Sequence, residues 1–370
     1  MSDPFLLNRV LLQFGQQAEE LLNNLSAIQR TPDGSLWLGS DELSLMDTEE
    51  CNTVDRLSQQ TPGVFGDHAL FRVRDFIDLS DQVGEIDIEG LDYADSYLWL
   101  TGSHSAKRKK PKGKNPEKDI QRLAEVKTDA NRFLIGRIPF VAGQLHKSCS
   151  GPDSPSQKLT AACLRREEPG NQLMAALQTD PHLGRYIAAG LPSKENGFDV
   201  EGIAVRKNRV YLGLRGPVLR GWAMLLEIAL TETNPGELQL QPIGDPSQLY
   251  RKHFLELDGL GVRDLCWQGD DLLILAGPTM DLAGSQGVYR WHDAAHRSDH
   301  TVCRQADGEL ELLFNLPYRA TGDKAEGMTL FPNLEEVGVL IVYDSPNSDR
   351  VLGTRGVYAD VFRLPANAKD

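Results

Sequence analysis

The sequence predicts an all-β fold, a single β-propeller, and three observations carry that prediction. One phrase recurs along the chain, its copies are evenly spaced, and each copy is followed by more strand-like runs. The phrase is an acidic or polar residue, a small residue and a short apolar run. A turn follows, then a stronger apolar run ending in Gly or a polar side chain. Its copies begin at Ser26, Glu89, Glu201, Arg263 and Glu326, in steps of 63, 112, 62 and 63 residues. Three steps agree within one residue, and the long one reads as a unit plus an insertion.

The first copy occupies residues 25–28 and 36–41, around a turn at Asp33 and Gly34. The second covers 88–91 and 97–104, the third 200–205 and 209–215, the fourth 262–265 and 272–277, the fifth 325–328 and 338–344. Further runs lie at 223–228 and 250–257 after the third copy, and at 287–291 and 310–314 after the fourth. Four short strands per unit, separated by Gly, Asp and Asn turns, make a propeller blade. A helical repeat would instead show stripes of period 3.6. The count is five blades, or six if residues 141–198 hold a degenerate one.

The last unit is one strand short, while residues 9–14 have no unit of their own. The N-terminal run is therefore expected to complete the final blade and close the ring, which removes exposed sheet edges. The whole chain, 1–370, is read as one domain. Its insertion, at about 105–198, has two parts. Residues 105–129 are polar, basic and broken by Pro and Gly, and read as a mobile loop. Residues 170–190 read as one or two short helices interrupted at Pro181.

The chain is acidic, with 53 Asp and Glu against 39 Lys and Arg and a formal net charge of −14. That balance argues against a general nucleic-acid binder. The exception is local: Lys107, Arg108, Lys109, Lys110, Lys112 and Lys114 crowd into one segment. It lacks interleaved aromatics, so it reads as a solvated loop. The five cysteines are scattered, with no C-x-x-C pair, which fits reduced thiols in a cytoplasmic protein. No signal peptide or membrane span is apparent. The expected state is a monomer whose partner is a small anionic ligand or another protein.

In a propeller, the start of each inner strand and the end of the next meet at one mouth of the central channel, where loops converge. The repeat places Glu89, Glu201, Arg263, Asp264 and Glu326 at the strand starts, and Asp41, His104, Arg215, Asp281 and Asp344 at the ends. Converging carboxylates suit a hard cation such as Ca²⁺, with Glu89, Glu201, Glu326 and Asp344 as ligands. They also suit acid–base work, with Glu201, Asp264 and His104 as candidate catalytic residues. Arg215, Arg263, Asp41 and Asp281 are candidate ligand-binding residues, the arginines matching a phosphate or carboxylate. Two other roles stay open: glutamates hydrogen-bonded to a neighbouring blade, and arginines neutralising nearby acids. The G-x-S-x-G, P-loop and H-E-x-x-H motifs are absent. His292, His296 and His300 read as a loop, and Trp37 and Trp99 as packing between blades.

Several phrases resemble a bacterial β-propeller family of unknown function. They are Val200-Glu201-Gly202-Ile203-Ala204-Val205, Gly213-Leu214-Arg215-Gly216-Pro217-Val218, Gly261-Val262-Arg263-Asp264-Leu265 and Ile274-Leu275-Ala276-Gly277-Pro278. The resemblance covers nearly the whole chain and implies a propeller without an established activity. More distantly, the Glu-Gly-apolar phrase is similar to esterase-like phytase and gluconolactonase-type propellers. That likeness implies a Ca²⁺-dependent phosphoester or lactone hydrolase, with Glu89, Glu201 and Glu326 as ligands and Arg215 and Arg263 on a substrate anion. The first unit departs from the pattern with Ser26, and the fourth with Arg263-Asp264.

Overall fold

The computed structural model describes residues 5–15, 19–40, 52–81, 84–152, 154–280, 282–319, 322–333 and 336–365. Its principal strands pair antiparallel in successive hairpins. The first unit comprises Leu25–Arg30, Leu36–Ser40, Thr53–Thr61 and Val64–Arg72. The second comprises Ile88–Ala94, Tyr97–Gly102, Ile135–Val141 and Ala162–Leu164. In the third, Asp199–Arg206, Arg209–Leu219 and the long Trp222–Asn234 are edged by both Glu237–Gln241 and Tyr250–Leu255. The fourth comprises Gly261–Gln268, Asp271–Gly277, Gly287–Trp291 and Leu310–Asn315. In the fifth, Lys324–Asn333, Glu336–Asp344 and Gly356–Arg363 are completed by the N-terminal strand Leu6–Gln13. The first strands of these units neighbour one another in cyclic order, the fifth returning to the first. The fold is a β-propeller, and its N-terminal strand closes the ring.

Side-chain alternation explains why the second strand of each unit is so apolar. Successive residues point to opposite faces, and here both faces are covered by neighbouring units. Along Asp271–Gly277, Leu272, Ile274 and Ala276 pack towards the third unit, while Leu273 and Leu275 pack towards the fifth. The other inter-unit layers are built the same way. Trp37 is fully buried between the first and second units, with its ring 5.7 Å from that of Phe140. Trp99 belongs to the layer between the second and third. Turns follow local chemistry: Asp33 accepts from the Thr31 hydroxyl at 2.6 Å and the Ser35 N–H at 3.2 Å, and Gly34 takes a φ of +88°.

One irregularity recurs in every unit. The pairing of the first strand with the second slips between Leu25 and Ala27, Ile88 and Gly90, Val200 and Ile203, Val262 and Asp264, and Ala325 and Gly327. The bulged residues are Ser26, Glu89, the Glu201–Gly202 pair, Arg263 and Glu326. A bulge bends its strand and re-aims a side chain, so the repeated phrase is the sequence form of a repeated bulge. Crowding at the axis sets the next residue. A Cβ on Gly90 would lie 2.8 Å from Ile203 N, and one on Gly327 2.9 Å from Ile28 N. One on Gly202, whose φ is +89°, would lie 2.7 Å from Asp264 Cα.

The stretch 105–198 is not all insertion, since it supplies the third and fourth strands of the second unit. Residues 172–177 and 184–189 are the two short helices expected on either side of Pro181. The basic segment differs from expectation: it is a folded flap. Lys107–Arg108 pairs with Val126–Lys127, and the helix Pro116–Ala124 lies between them. Asn115 caps that helix by accepting from Lys118 N–H at 3.0 Å, with Pro116 at the first turn. Asp119 accepts from the backbone of Lys112 and Gly113, and Glu125 pairs with Lys109. Acidic side chains between the lysines thus hold the flap together.

Crowding at the axis is separable from backbone strain. Gly202 and Gly259 both have positive φ, but a Cβ on Gly259 meets nothing. Each Gly→Ala change carries the left-handed penalty of roughly 1–2 kcal/mol. In denaturant unfolding, Gly202→Ala is expected to cost about 1–3 kcal/mol beyond Gly259→Ala. Equal losses would mean that the inner strands are not in close contact.

Candidate functional site

The bulges bring charged side chains from several units to one end of the channel. Arg263, from the fourth unit, lies between the third and the fifth. Its Nη1 is 3.0 Å from Glu201 Oε2, and its Nη2 pairs with Glu326 Oε1. Arg215, at the end of the third unit's second strand, reaches Glu201 Oε1 at 2.8 Å and Asp199 Oδ2 at 2.6 Å. Arg132 enters from the turn Ala130–Phe133. It meets Asp87 at 2.7 Å, Glu85 at 3.0 Å and the Ser103 hydroxyl at 3.2 Å. Glu89 lines the same space. Ser26, in the first unit, instead donates to the Ile88 carbonyl at 2.5 Å.

All of these charged groups except Glu85 are almost completely buried. Burial opposes ionisation, and for Glu326, Asp87, Asp199 and Glu201 it outweighs the neighbouring arginines. It pushes Glu326 up to about 7 and Asp87 up to about 6, and it raises Asp199 and Glu201. The mouth therefore holds permanently charged guanidinium groups among carboxyls raised above their usual range, Glu326 and Asp87 to near neutrality.

Two chambers open onto this cluster, and both are lined by Lys194, Arg215 and Glu326. The larger, of about 440 Å³, lies beneath the flap. Lys107, Arg108, Lys109, Lys110, Arg122 and Lys127 line it opposite Glu89, Glu201 and Arg132. The basic segment is thus part of the mouth and not a detached solvated loop. Arg108 ties it to the body through Glu195, at 2.9 Å for one of two contacts, and Lys107 through Glu85, at 2.5 Å. The smaller chamber, of about 180 Å³, lies on the fourth and fifth units and includes Arg263.

The remaining candidates stand outside these ion pairs. Asp264 follows its bulge and faces the next unit, accepting from Leu265 N–H at 2.8 Å and Met328 N–H at 2.6 Å. Asp92 joins the second unit to the third in the same way, accepting from Val205 N–H at 2.6 Å. His104 is buried behind the mouth. Its Nδ1 donates to the Gly102 carbonyl at 2.8 Å, and its Nε2 accepts from Asn171 at 2.9 Å. Burial lowers its pKa to about 4, so the ring is neutral and both nitrogens are engaged. Asp344 stands beside the cluster: its charge helps raise Glu326, it faces Lys324 at 3.7 Å and it accepts from Ser345. Asp41 and Asp281 lie outside the described residues.

The carboxylates do not fit Ca²⁺ as they are arranged, because Arg263 occupies the space between Glu201 and Glu326. Among the described residues, no three His, Cys, Asp or Glu side chains gather as a metal site. The geometry is that of an ion-paired ring facing a basic chamber.

The family model described as "Protein of unknown function (DUF3616)" matches residues 24–360. The chain belongs to this family. No curated protein matches it. Among solved structures it is similar to α-L-arabinofuranosidase from Lactobacillus brevis, with 10% identity, 95% of each chain covered and a TM-score of 0.42. It is also similar to Penicillium chrysogenum α-L-arabinanase, with 9% identity, 98% and 99% covered and a TM-score of 0.38. For virginiamycin B lyase from Staphylococcus aureus the values are 10% identity, 97% and 99% covered, and 0.34.

In this DUF3616 protein the repeat alone missed part of the site. Asp87 and Asp199 carried a signal, because Asp-apolar-Glu-Gly occurs at both 87–90 and 199–202. Arg132, Glu85 and Lys194 carried none, since they come from connecting segments outside the repeat.

Glu326 makes stability depend on pH. Its folded pKa is raised from 4.5 to about 7, so its contribution is full below about pH 4.5 and lost as pH rises through 7. Between pH 5 and 8, Glu326→Gln is expected to flatten the fall in unfolding free energy by up to about 3 kcal/mol. An unchanged pH profile in denaturant titrations would show that the carboxyl titrates normally.

Proposed function

We propose that the channel mouth binds a small anionic ligand carrying a phosphate or carboxylate, held between the flap and the arginine–carboxyl ring. The lining of the larger chamber carries this reading: nine basic side chains against five acidic ones, in a chain of net charge −14. Two of the five acids, Asp87 and Glu326, are shifted towards neutrality, which tips the balance further. Arg215 is oriented by two carboxyl groups, and oriented guanidinium groups match phosphate and carboxylate geometry.

The first test is calorimetric titration with inorganic pyrophosphate at low ionic strength. Saturable binding at one site per chain is expected, weakening with added salt. Lys127→Ala combined with Lys194→Ala should weaken it by about tenfold or more. No binding to the unaltered protein, or an affinity unchanged in the double variant, would refute the reading.

A second reading, hydrolysis of a bound phosphoester or lactone, is favoured by Glu326. A carboxyl with a pKa near 7 serves as acid and as base at neutral pH. The check is turnover of p-nitrophenyl phosphate and glucono-δ-lactone, with and without Ca²⁺. Activity that follows an ionisation near pH 7 and disappears in Glu326→Gln supports hydrolysis. No turnover of either compound leaves a binding module.

A further inference from the structure

The second chamber differs from the first in chemistry. Its polar side is the shared set Lys194, Arg215 and Glu326, together with Arg263, Arg319, Asp323 and Lys324. Its other side is apolar and projects into solvent: Leu282 keeps 68% of its surface exposed, Tyr318 63% and Met280 50%. Met280 and Leu282 follow the end of the fourth unit's second strand, and Tyr318 follows that unit's outer strand. Neighbouring loops of one unit therefore build the lip. On the flap, Leu123 lines the larger chamber and is 46% exposed.

Single exposed apolar residues need no explanation, but a group of them beside a buried charge cluster marks a binding surface. The two chambers meet at Lys194, Arg215 and Glu326, so one molecule can touch both. Taken together, their volumes of about 180 and 440 Å³ fall in the range of small-molecule sites.

We propose that the ligand is an amphiphilic anion, a small molecule whose phosphate, sulfonate or carboxylate sits against Lys194 and Arg215 and whose apolar or aromatic body lies on Met280, Leu282 and Tyr318. This rests on the anion-binding reading above and adds the second half of the ligand. A simple inorganic anion would leave the apolar lip uncovered. A neutral apolar molecule would leave the basic side without a counter-charge. Tyr318 offers a flat ring for an aromatic body and a hydroxyl at its edge.

The test uses 1-anilinonaphthalene-8-sulfonate, an aromatic sulfonate that fluoresces when bound, and the neutral N-phenyl-1-naphthylamine. The sulfonate is expected to bind saturably at one site per chain, to be displaced by pyrophosphate, and to bind at least about tenfold tighter than the neutral dye. Tyr318→Ala combined with Leu282→Ser should weaken sulfonate binding by about tenfold and leave pyrophosphate affinity unchanged. If pyrophosphate binds but the lip variant binds the sulfonate as the unaltered protein does, the lip has no part in the ligand and this inference fails alone. If pyrophosphate does not bind, the anion-binding reading fails and takes this inference with it. Concentration-dependent dimers in sedimentation, dissociated by the same two substitutions, would assign the lip to a second copy of the chain and overturn the proposal.

Discussion

The fold depends on how closely its first strands approach at the axis. At that distance the residue after each bulge has little room, so Gly90, Gly202 and Gly327 carry no side chain there and Ala27 only a methyl group. The exception, Asp264, turns its carboxyl along the seam and onto the next strand's backbone. The bulge that relieves the crowding also aims the preceding side chain at the channel. One steric constraint thus holds the units together and concentrates Glu89, Glu201, Arg263 and Glu326 at one end. Buried charges are tolerated there because they alternate in sign, with Arg263 between Glu201 and Glu326 and Arg215 between Glu201 and Asp199.

Sequence periodicity reads what the fold repeats and little else. The bulge recurs in every unit, so Glu201, Glu326, Arg263 and Arg215 were legible as one cluster from the spacing of the phrase. The ring closure was legible because Leu6–Gln13 is a strand without a partner in its own neighbourhood. Asp264 misled because its place in the phrase matches a glycine elsewhere, and the phrase does not say which way a substituted side chain turns. Composition misled for the flap. A run of lysines with Pro and Gly reads as solvated, but Asp119 binds its backbone and Glu125 pairs with Lys109, and such local compensation is invisible to a charge count.

Charge is partitioned unevenly over the surface. The chain as a whole repels anions at long range, while the chamber beneath the flap is rich in basic side chains. A highly charged polyanion meets the acidic exterior first, whereas a small anion reaches the mouth inside a local field of the opposite sign. For the proposed anionic ligand, such a partition selects by size as well as by charge. No helix among the described residues is long and apolar enough to cross a membrane.

The pairing of Leu6–Gln13 with Gly356–Arg363 imposes an order of events on the chain's synthesis. This strand is made before any of the units, and its antiparallel partner follows only after all of their other strands. Until then its paired edge is open, and Val10 and Leu12, fully buried in the finished ring, face water. The other units have their strands nearby in sequence and can pair as they emerge. Ring closure is thus a contact between strands far apart in the sequence, a long-range pairing that is slow by its nature. The interval before it is when a nascent chain is most open to chaperones, or to another chain offering the same strand.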